Sequence, residues 1–427
     1  MANTPPSTSR FAGLPSVAVD EIFALNHAYA VDTHPDKVSL GIGVYRTNDG
    51  KPWPLTSVRT VERELFEADN AGRHEYLPIE GDREFLGLAR DLMFGFDSLG
   101  TTSPEQREKE NEQKKRIASV QTISGTGANH LGAAFLARHL KPKHVWIGDP
   151  SWPNHLTIWD LQGVTRRSYP HYNPEMRSFD FEAAMKVLES EAEEGDVILL
   201  HTCAHNPTGL DPTKEQWKAI AELCQRKRLF PFFDSAYQGF ASGSVDEDAW
   251  AVRYFFSLGN IEMCVAQSFS KNFGLYGQRV GAFHFVSTST DAQLQTLIEK
   301  NLCHLIRGEY SMAPRYGSTI VKRVLSDAGL REMWQKDLDV MSSRIKAMRQ
   351  ALYDELVRLQ TPGSWKHIVE QNGMFSYTGL TRKQVEELKN KYHVYLLSSG
   401  RASISGLSES NVTYVARAID DVVRNVA

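Results

Sequence analysis

What the sequence does not contain narrows it first. No apolar run approaches the roughly 18 residues that a bilayer-spanning helix requires. Its four cysteines, Cys203, Cys224, Cys264 and Cys303, are scattered over 427 residues and form no CxxC pair. Neither a zinc site nor a disulfide framework is implied, and a reducing compartment fits. Neither sign of charge dominates: 48 Lys and Arg face 52 Asp and Glu, for a net charge of −4. Nothing electrostatic therefore argues for nucleic acid or an anionic membrane as partner. The first fifteen residues hold one arginine and no apolar signal core, and Asn425-Val426-Ala427 is no sorting signal. A cytoplasmic address is the expectation. There is no repeat and no low-complexity linker. What remains is a 41% apolar, 23% charged composition typical of a globular protein, in a chain long enough for two domains.

From about residue 118 to 286, short apolar runs alternate with segments of helical period. Ser119 to Ile123, Val145 to Gly148, Val197 to Leu200, Phe230 to Phe233 and Val280 to Val286 read as strands, and Ala266 to Ser270 as a short buried strand end. This alternation predicts a mostly parallel sheet covered by helices on both faces. Outside it, Asp20 to Ala30 and Val58 to Ala68 read as helices, and Val38 to Tyr45 as a strand interrupted by Gly41 and Gly43. Leu338 to Leu359 reads as one long bridging helix. His367 to Thr378 and Tyr395 to Leu397 read as strands of a smaller α/β unit shared with the N-terminal segment. The predicted division is an arm at 1–15, a discontinuous small domain at 16–52 and 338–427, and a large domain at 53–337. The charged run EQREKENEQKK, between Gly95 and Lys115, reads as a solvated helix or loop.

Several residues carry chemistry that the fold alone does not need. Lys271 sits between two core strands, where desolvation lowers an amine's pKa and makes it a nucleophile toward carbonyls. Ser268, Ser270 and Arg279 surround it in sequence and suit an anion such as a phosphate. The run 124-SGTGA-128, with Gly125 and Thr126, breaks a strand and opens a helix, a geometry that aims free N–H groups at an anion. It is neither a Walker loop nor a GxGxxG fingerprint. Asp234 follows four mostly apolar strand residues and is costly there unless it pairs with a cation or caps a helix. A protonated pyridine nitrogen is such a cation. Tyr237, three residues on, reaches the same face. Trp152 follows a strand end and either stacks on a planar ring or caps the core. Asn206 precedes Pro207 and is kept out of the helical region, so its amide can point over the strand ends.

Seven motifs occur in one order: LGIGVYR, HEYLPI, SGTGA, HNPTG, FFDSAYQGFASG, SFSKNFGLYGQRVG and SSGRASISGL. Together, from about Phe11 to the C-terminus, they resemble the aspartate aminotransferase family, class I transaminases of fold type I. The resemblance implies an α/β fold with a mostly parallel seven-stranded sheet covered by helices and a smaller α/β domain. It also implies pyridoxal 5′-phosphate as cofactor and a ping-pong exchange of aspartate and 2-oxoglutarate for oxaloacetate and glutamate. Lys271 would bond the cofactor and shuttle the proton. Asp234 would hold the ring nitrogen protonated, supported by His155. Tyr237 and Asn206 would bond the phenolic oxygen, and Trp152 would stack on the ring. Gly125, Thr126, Ser268 and Arg279 would bind phosphate, joined by Tyr76 of a second subunit in a homodimer. Gly43 would touch substrate, Arg401 would take its α-carboxylate and Arg307, across the dimer, its distal carboxylate. No metal is expected. The chain departs from the pattern at Met312-Ala313, where Asn-Pro is expected, at Ala402-Ser403, and at Asn129-His130, where Leu-Arg is usual. These departures touch the side-chain pocket, so an aromatic transaminase, a decarboxylase or a lyase is the near alternative. A binding paralog without cofactor is the distant one.

Overall fold

The computed structural model describes residues 9–17, 19–68 and 74–426. Seven strands form its main sheet: β1 (Ile117–Ile123), β2 (His144–Asp149), β3 (Thr165–Pro170), β4 (Val197–His201), β5 (Phe230–Ser235), β6 (Met263–Ser268) and β7 (Val280–Val286). Their order across the sheet is β1-β7-β6-β5-β4-β2-β3, and β7 alone runs against its neighbours. Every residue of β5, β6 and β7 is buried, as a sheet covered on both faces requires. Successive residues serve opposite layers. Phe232, Cys264 and Phe283 pack in one core, while Phe233, Val265 and Val286 pack in the other. The mostly parallel seven-stranded α/β sheet expected from the sequence is therefore the architecture observed.

A third core gathers the chain's two ends. Val38–Ser39 pairs in parallel with Val394–Tyr395, and both pack with the helix Ala328–Arg358. That helix begins ten residues before the expected start and is anchored there by Trp334, whose indole N–H donates to the Asn272 carbonyl at 2.7 Å. Asp327 caps its first turn by accepting from Gly329 and Leu330.

Two local expectations are corrected, and a third, the charged run, holds but for one buried carboxylate. The strand Val38 to Tyr45 keeps ladder pairing only over Val38–Ser39; beyond it the Gly41 carbonyl accepts from Arg401 and the Tyr45 N–H donates to the Tyr276 hydroxyl. His367 to Thr378 is not one strand but a short helix, His367–Glu370, followed by Phe375–Tyr377. The buried Arg349 guanidinium donates to the carbonyls of Ile368, Gly373 and Phe375, which a continuous ladder would otherwise need. The charged run forms a helix, Pro104–Lys114, capped by Ser103 and mostly exposed. Its Glu110, however, is buried and accepts from the Asp97 N–H and the Gln106 amide. Residues 1–8 of the expected arm lie outside the described residues. Among the described residues, no helix is long and apolar enough to cross a membrane.

Candidate active site

Parallel strands deliver their C-terminal ends to one edge, where open α/β sheets collect ligands. Asp234 stands near the end of β5 and pairs in register with His201 on β4 and Ala266 on β6. Its carboxylate is 6% exposed and accepts from His155 Nε2 at 2.8 Å, while Ser151 holds the other ring nitrogen at 3.1 Å. Burial alone would raise the Asp234 pKa; the His155 hydrogen bond and charge, with His201 and Asn129, outweigh it and keep the group below the usual carboxylate range. His201 is driven down to about 3, first by burial and then by His155, so it lies beside Asp234 as a neutral ring.

Lys271 follows β6 on a turn closed by the Gly274 N–H on its own carbonyl. Its surface is only partly covered, but the protein packed round the amine desolvates it. Burial first, then the charges of Arg279 and Arg401, lower its pKa to about 8 against the opposing pull of Asp234. Its Nζ lies 5.2 Å from the centre of the Tyr237 ring. Tyr237 is buried, and burial raises its hydroxyl pKa. Asn206 Oδ1 accepts from Arg401 Nη1 at 3.2 Å, and Arg401 Nη2 donates to the Gly41 carbonyl at 2.6 Å. The Arg401 guanidinium is 2% exposed and lies over the Phe375 ring at 4.2 Å. Desolvation lowers its pKa to about 10, which leaves it charged at neutral pH. Gly43 faces the same ring: a Cβ there would come within 2.8 Å of Phe375 Cζ.

The anion cradle lies at the start of the helix Ser124–His139, whose N-terminus has no side-chain cap. Gly125 must be glycine, since a Cβ would stand 2.9 Å from Ser268 Cβ. Thr126 is exposed in the same turn. Ser124 shares hydrogen bonds with Ser268 (3.3 Å) and Ser270 (2.7 Å). Arg279, held by a bond from Nη1 to the Tyr276 carbonyl, stands next to this serine cluster through the contact of its own carbonyl with the Ser124 N–H. Trp152 precedes the helix Pro153–Leu161 with its ring edge-on to His155 at 5.0 Å.

Two expected site residues stay apart. Tyr76 is 85% exposed and its carbonyl accepts from Arg315. Arg307, exposed in the last turn of the helix Ala292–Glu309, donates to Ser311. Among the described residues, neither touches the cluster. Three contributors escaped the sequence reading: His201, the Gly41 carbonyl and the Phe375 ring. His201 ends an apolar strand just as Asp234 does, and the same argument could have found it. The other two had no local signal.

These groups fit a planar, anionic cofactor bearing a protonatable nitrogen. They offer an uncapped helix start with serines and an arginine for an anion, a buried carboxylate for a cationic nitrogen, and a desolvated amine between them. Arg401 Nε is buried without a partner and is free for a carboxylate. Such a set defines a pyridoxal-phosphate-dependent enzyme of fold type I. The sequence model of the aminotransferase class I and II family matches residues 35–419, and the chain belongs to that family. It is similar to an L-tyrosine:2-oxoglutarate aminotransferase of Aspergillus ustus, with 59% identity over 97% of this chain and 78% of that protein. The structure of aspartate aminotransferase from the cytoplasm of Saccharomyces cerevisiae superimposes with a TM-score of 0.92 at 42% identity, over 99% of this chain and 100% of that one. An aromatic-amino-acid aminotransferase from Burkholderia pseudomallei, covalently bound to pyridoxal phosphate, gives 0.89 at 37% identity, over 97% and 100%. The chain is an aminotransferase with pyridoxal 5′-phosphate as its cofactor.

Proposed function

We propose that the chain exchanges the amino group between aspartate and 2-oxoglutarate, giving oxaloacetate and glutamate. The observation that carries this reading is a desolvated lysine and a buried carboxylate sharing one cleft with the buried Arg401. Bound pyridoxal phosphate supplies an aldehyde and an electron-accepting ring. Gly125, Thr126, Ser268 and Arg279 would hold its phosphate, Asp234 the ring nitrogen, Tyr237 and Asn206 the phenolic oxygen, and Trp152 the ring face. Lys271 Nζ, with a pKa near 8, has a usable neutral fraction at physiological pH. It takes the proton from the substrate α-carbon and returns it one position away. Arg401 grips the α-carboxylate in a fork that lysine cannot copy, with Gly43 lining the approach.

Tyr76 and Arg307 would act in the cleft of a second copy, making the protein a cytoplasmic homodimer with shared sites. Their exposure in a single chain supports this reading. The pairing of Val38 with Val394 supports a small domain of 16–52 with 338–427 against a large one of 53–337. A second substrate reading, an aromatic amino acid, is favoured by Met312-Ala313 beside Arg307 and by the tyrosine-acting relative. Titrating the loaded enzyme's visible absorbance with aspartate, glutamate, tyrosine, phenylalanine and alanine tests both. Aspartate and glutamate should change it at concentrations at least about tenfold below alanine. A response to tyrosine and phenylalanine alone would move the assignment to aromatic substrates.

A further inference from the structure

His130 departs from the family pattern, and the structure sets it against the segment that leads into another departure, Met312-Ala313. Its Nε2 lies 3.2 Å from Glu309 Oε1, and Gln162 Nε2 stands 3.4 Å from its other ring nitrogen. The pair joins two helices. His130 is on the cradle helix Ser124–His139, and Glu309 is the last residue of Ala292–Glu309, two places after Arg307. A carboxylate suits the start of a helix and not its end, where the peptide dipoles point their negative ends at it. Glu309 therefore gains nothing from its own helix and needs the cation that His130 supplies. In return its hydrogen bond raises the imidazole pKa against the opposing effect of burial. The stretch between is weak without such a tie. Ile306 is the last buried residue of the helix, and Gly308 loosens the turn that follows. The chain then leaves the helix through Ser311 at φ 69°, a left-handed conformation that residues other than glycine disfavour. That turn brings the Ser311 hydroxyl back to accept from the Arg307 guanidinium. Arg307 is thus aimed by a serine on a strained turn, and Glu309 is where that turn is fastened to the cradle helix.

We propose that His130 and Glu309 are positioning residues for Arg307: their ion pair clamps the last turn of the helix Ala292–Glu309 to the cradle helix and so fixes where Arg307 is presented to a dicarboxylic substrate. The inference rests on the reading of Arg307 as the group that meets the distal carboxylate in the cleft of a second copy. The two side chains are 33% and 30% exposed, and a pair this accessible adds little to the stability of the whole chain. Its leverage is local. It holds one end of a four-residue stretch that carries the guanidinium and the serine bonded to it, and a forked arginine–carboxylate contact tolerates little misplacement. Among the described residues, neither side chain bonds to the cluster round Lys271, so the effect falls on substrate binding and not on proton transfer.

His130→Ala, Glu309→Ala, the double variant and His130→Arg are loaded with pyridoxal 5′-phosphate and mixed with aspartate, glutamate or alanine alone. Following the half-reaction by absorbance keeps a second dicarboxylate out of the assay and gives a half-saturating concentration and a limiting rate for each amino acid. Each Ala variant should raise the half-saturating concentration of aspartate and glutamate by about 3–10-fold. Alanine's value, and every limiting rate, should stay within about twofold of wild type. The double variant should be no worse than the poorer single one, because both remove one contact. His130→Arg, which keeps a cation opposite Glu309, should hold the wild-type values within about twofold. Melting temperatures should be unchanged. Aspartate and glutamate values within about twofold of wild type in both Ala variants would overturn the proposal. So would losses that multiply in the double variant, or a His130→Arg variant no better than His130→Ala. Equal losses for alanine and the dicarboxylates with a lower melting temperature would overturn it too, by making the pair structural. Arg307→Ala is the control and should weaken the dicarboxylates more than any of these. If it responded to aspartate as the wild type does, the reading of Arg307 would be defeated, and the proposal with it.

Discussion

Asp234 and Arg401 are 6% and 2% exposed, and each is bonded to residues distant in sequence. Tyr76 is 85% exposed, and among the described residues Arg307 bonds only a serine four residues on. The floor of the cleft is assembled within one chain; Tyr76 and Arg307 stand away from it. Floor residues are held by burial, where a lost partner is costly, so their geometry has little freedom. The rim is anchored differently. Arg315 donates to the carbonyls of Glu75 and Tyr76, and the Leu77 N–H meets Met312 Sδ. The segment after Arg307 and the loop of Tyr76 are thus tied together on one face. The departures from the family pattern at 312–313 fall in this tie, while those at Ala402-Ser403 and Asn129 fall among buried residues.

The largest test of the contrast is at the floor. Lys271→Ala should fold, bind cofactor non-covalently and lose about 10²–10⁴-fold or more in turnover, measured by steady-state kinetics. Near-normal turnover would remove Lys271 from the mechanism. The same lysine predicts a pH signature in the cofactor-free protein. Its folded pKa near 8 lies below the ordinary lysine value of 10.5. Between those values the unfolded chain binds the extra proton, so stability rises with pH through this window and is lost as pH falls toward 8. Lys271→Met should therefore be more stable than wild type at pH 7, by on the order of 2–3 kcal/mol. The gap should close between about pH 8 and 10.5, as read by urea unfolding at several pH values.

Arg401→Lys keeps the charge and loses the fork. It should cost about 10–100-fold in kcat/KM for every amino acid, since all carry the α-carboxylate. Arg307→Asp tests the rim. It should cost at least about tenfold for aspartate and glutamate, and less for apolar amino acids. Mixing Lys271→Ala with Arg307→Asp subunits should restore about a quarter of the sites, because one site in each heterodimer carries no lesion. Failure to complement after verified exchange would make the rim and the floor parts of the same chain's site and abolish the contrast.

Much of the floor was legible before the fold was known. A lysine between apolar strands, an aspartate after Phe230 to Phe233 and a glycine turn opening a helix are local patterns with local causes, and the structure brings all three to one edge. Tyr76 and Arg307 were named from resemblance, and the surroundings of each in one chain carry no sign of a site. The strand readings failed at 40–45 and 367–374, where backbone groups are taken by Arg401 and Arg349, side chains far along the sequence.

By itself, then, the sequence determined the alternation of strands and helices and the types of residue standing at the strand ends, because burial and periodicity act within a few residues. Only the tertiary structure decided who meets whom. The register that sets His201 beside Asp234, the bond from His155 on the helix Pro153–Leu161 to that carboxylate and the bond from Arg401 to the Gly41 carbonyl all depend on strand order and on the joining of the two chain ends. Those contacts span tens to hundreds of residues, and no local propensity records them.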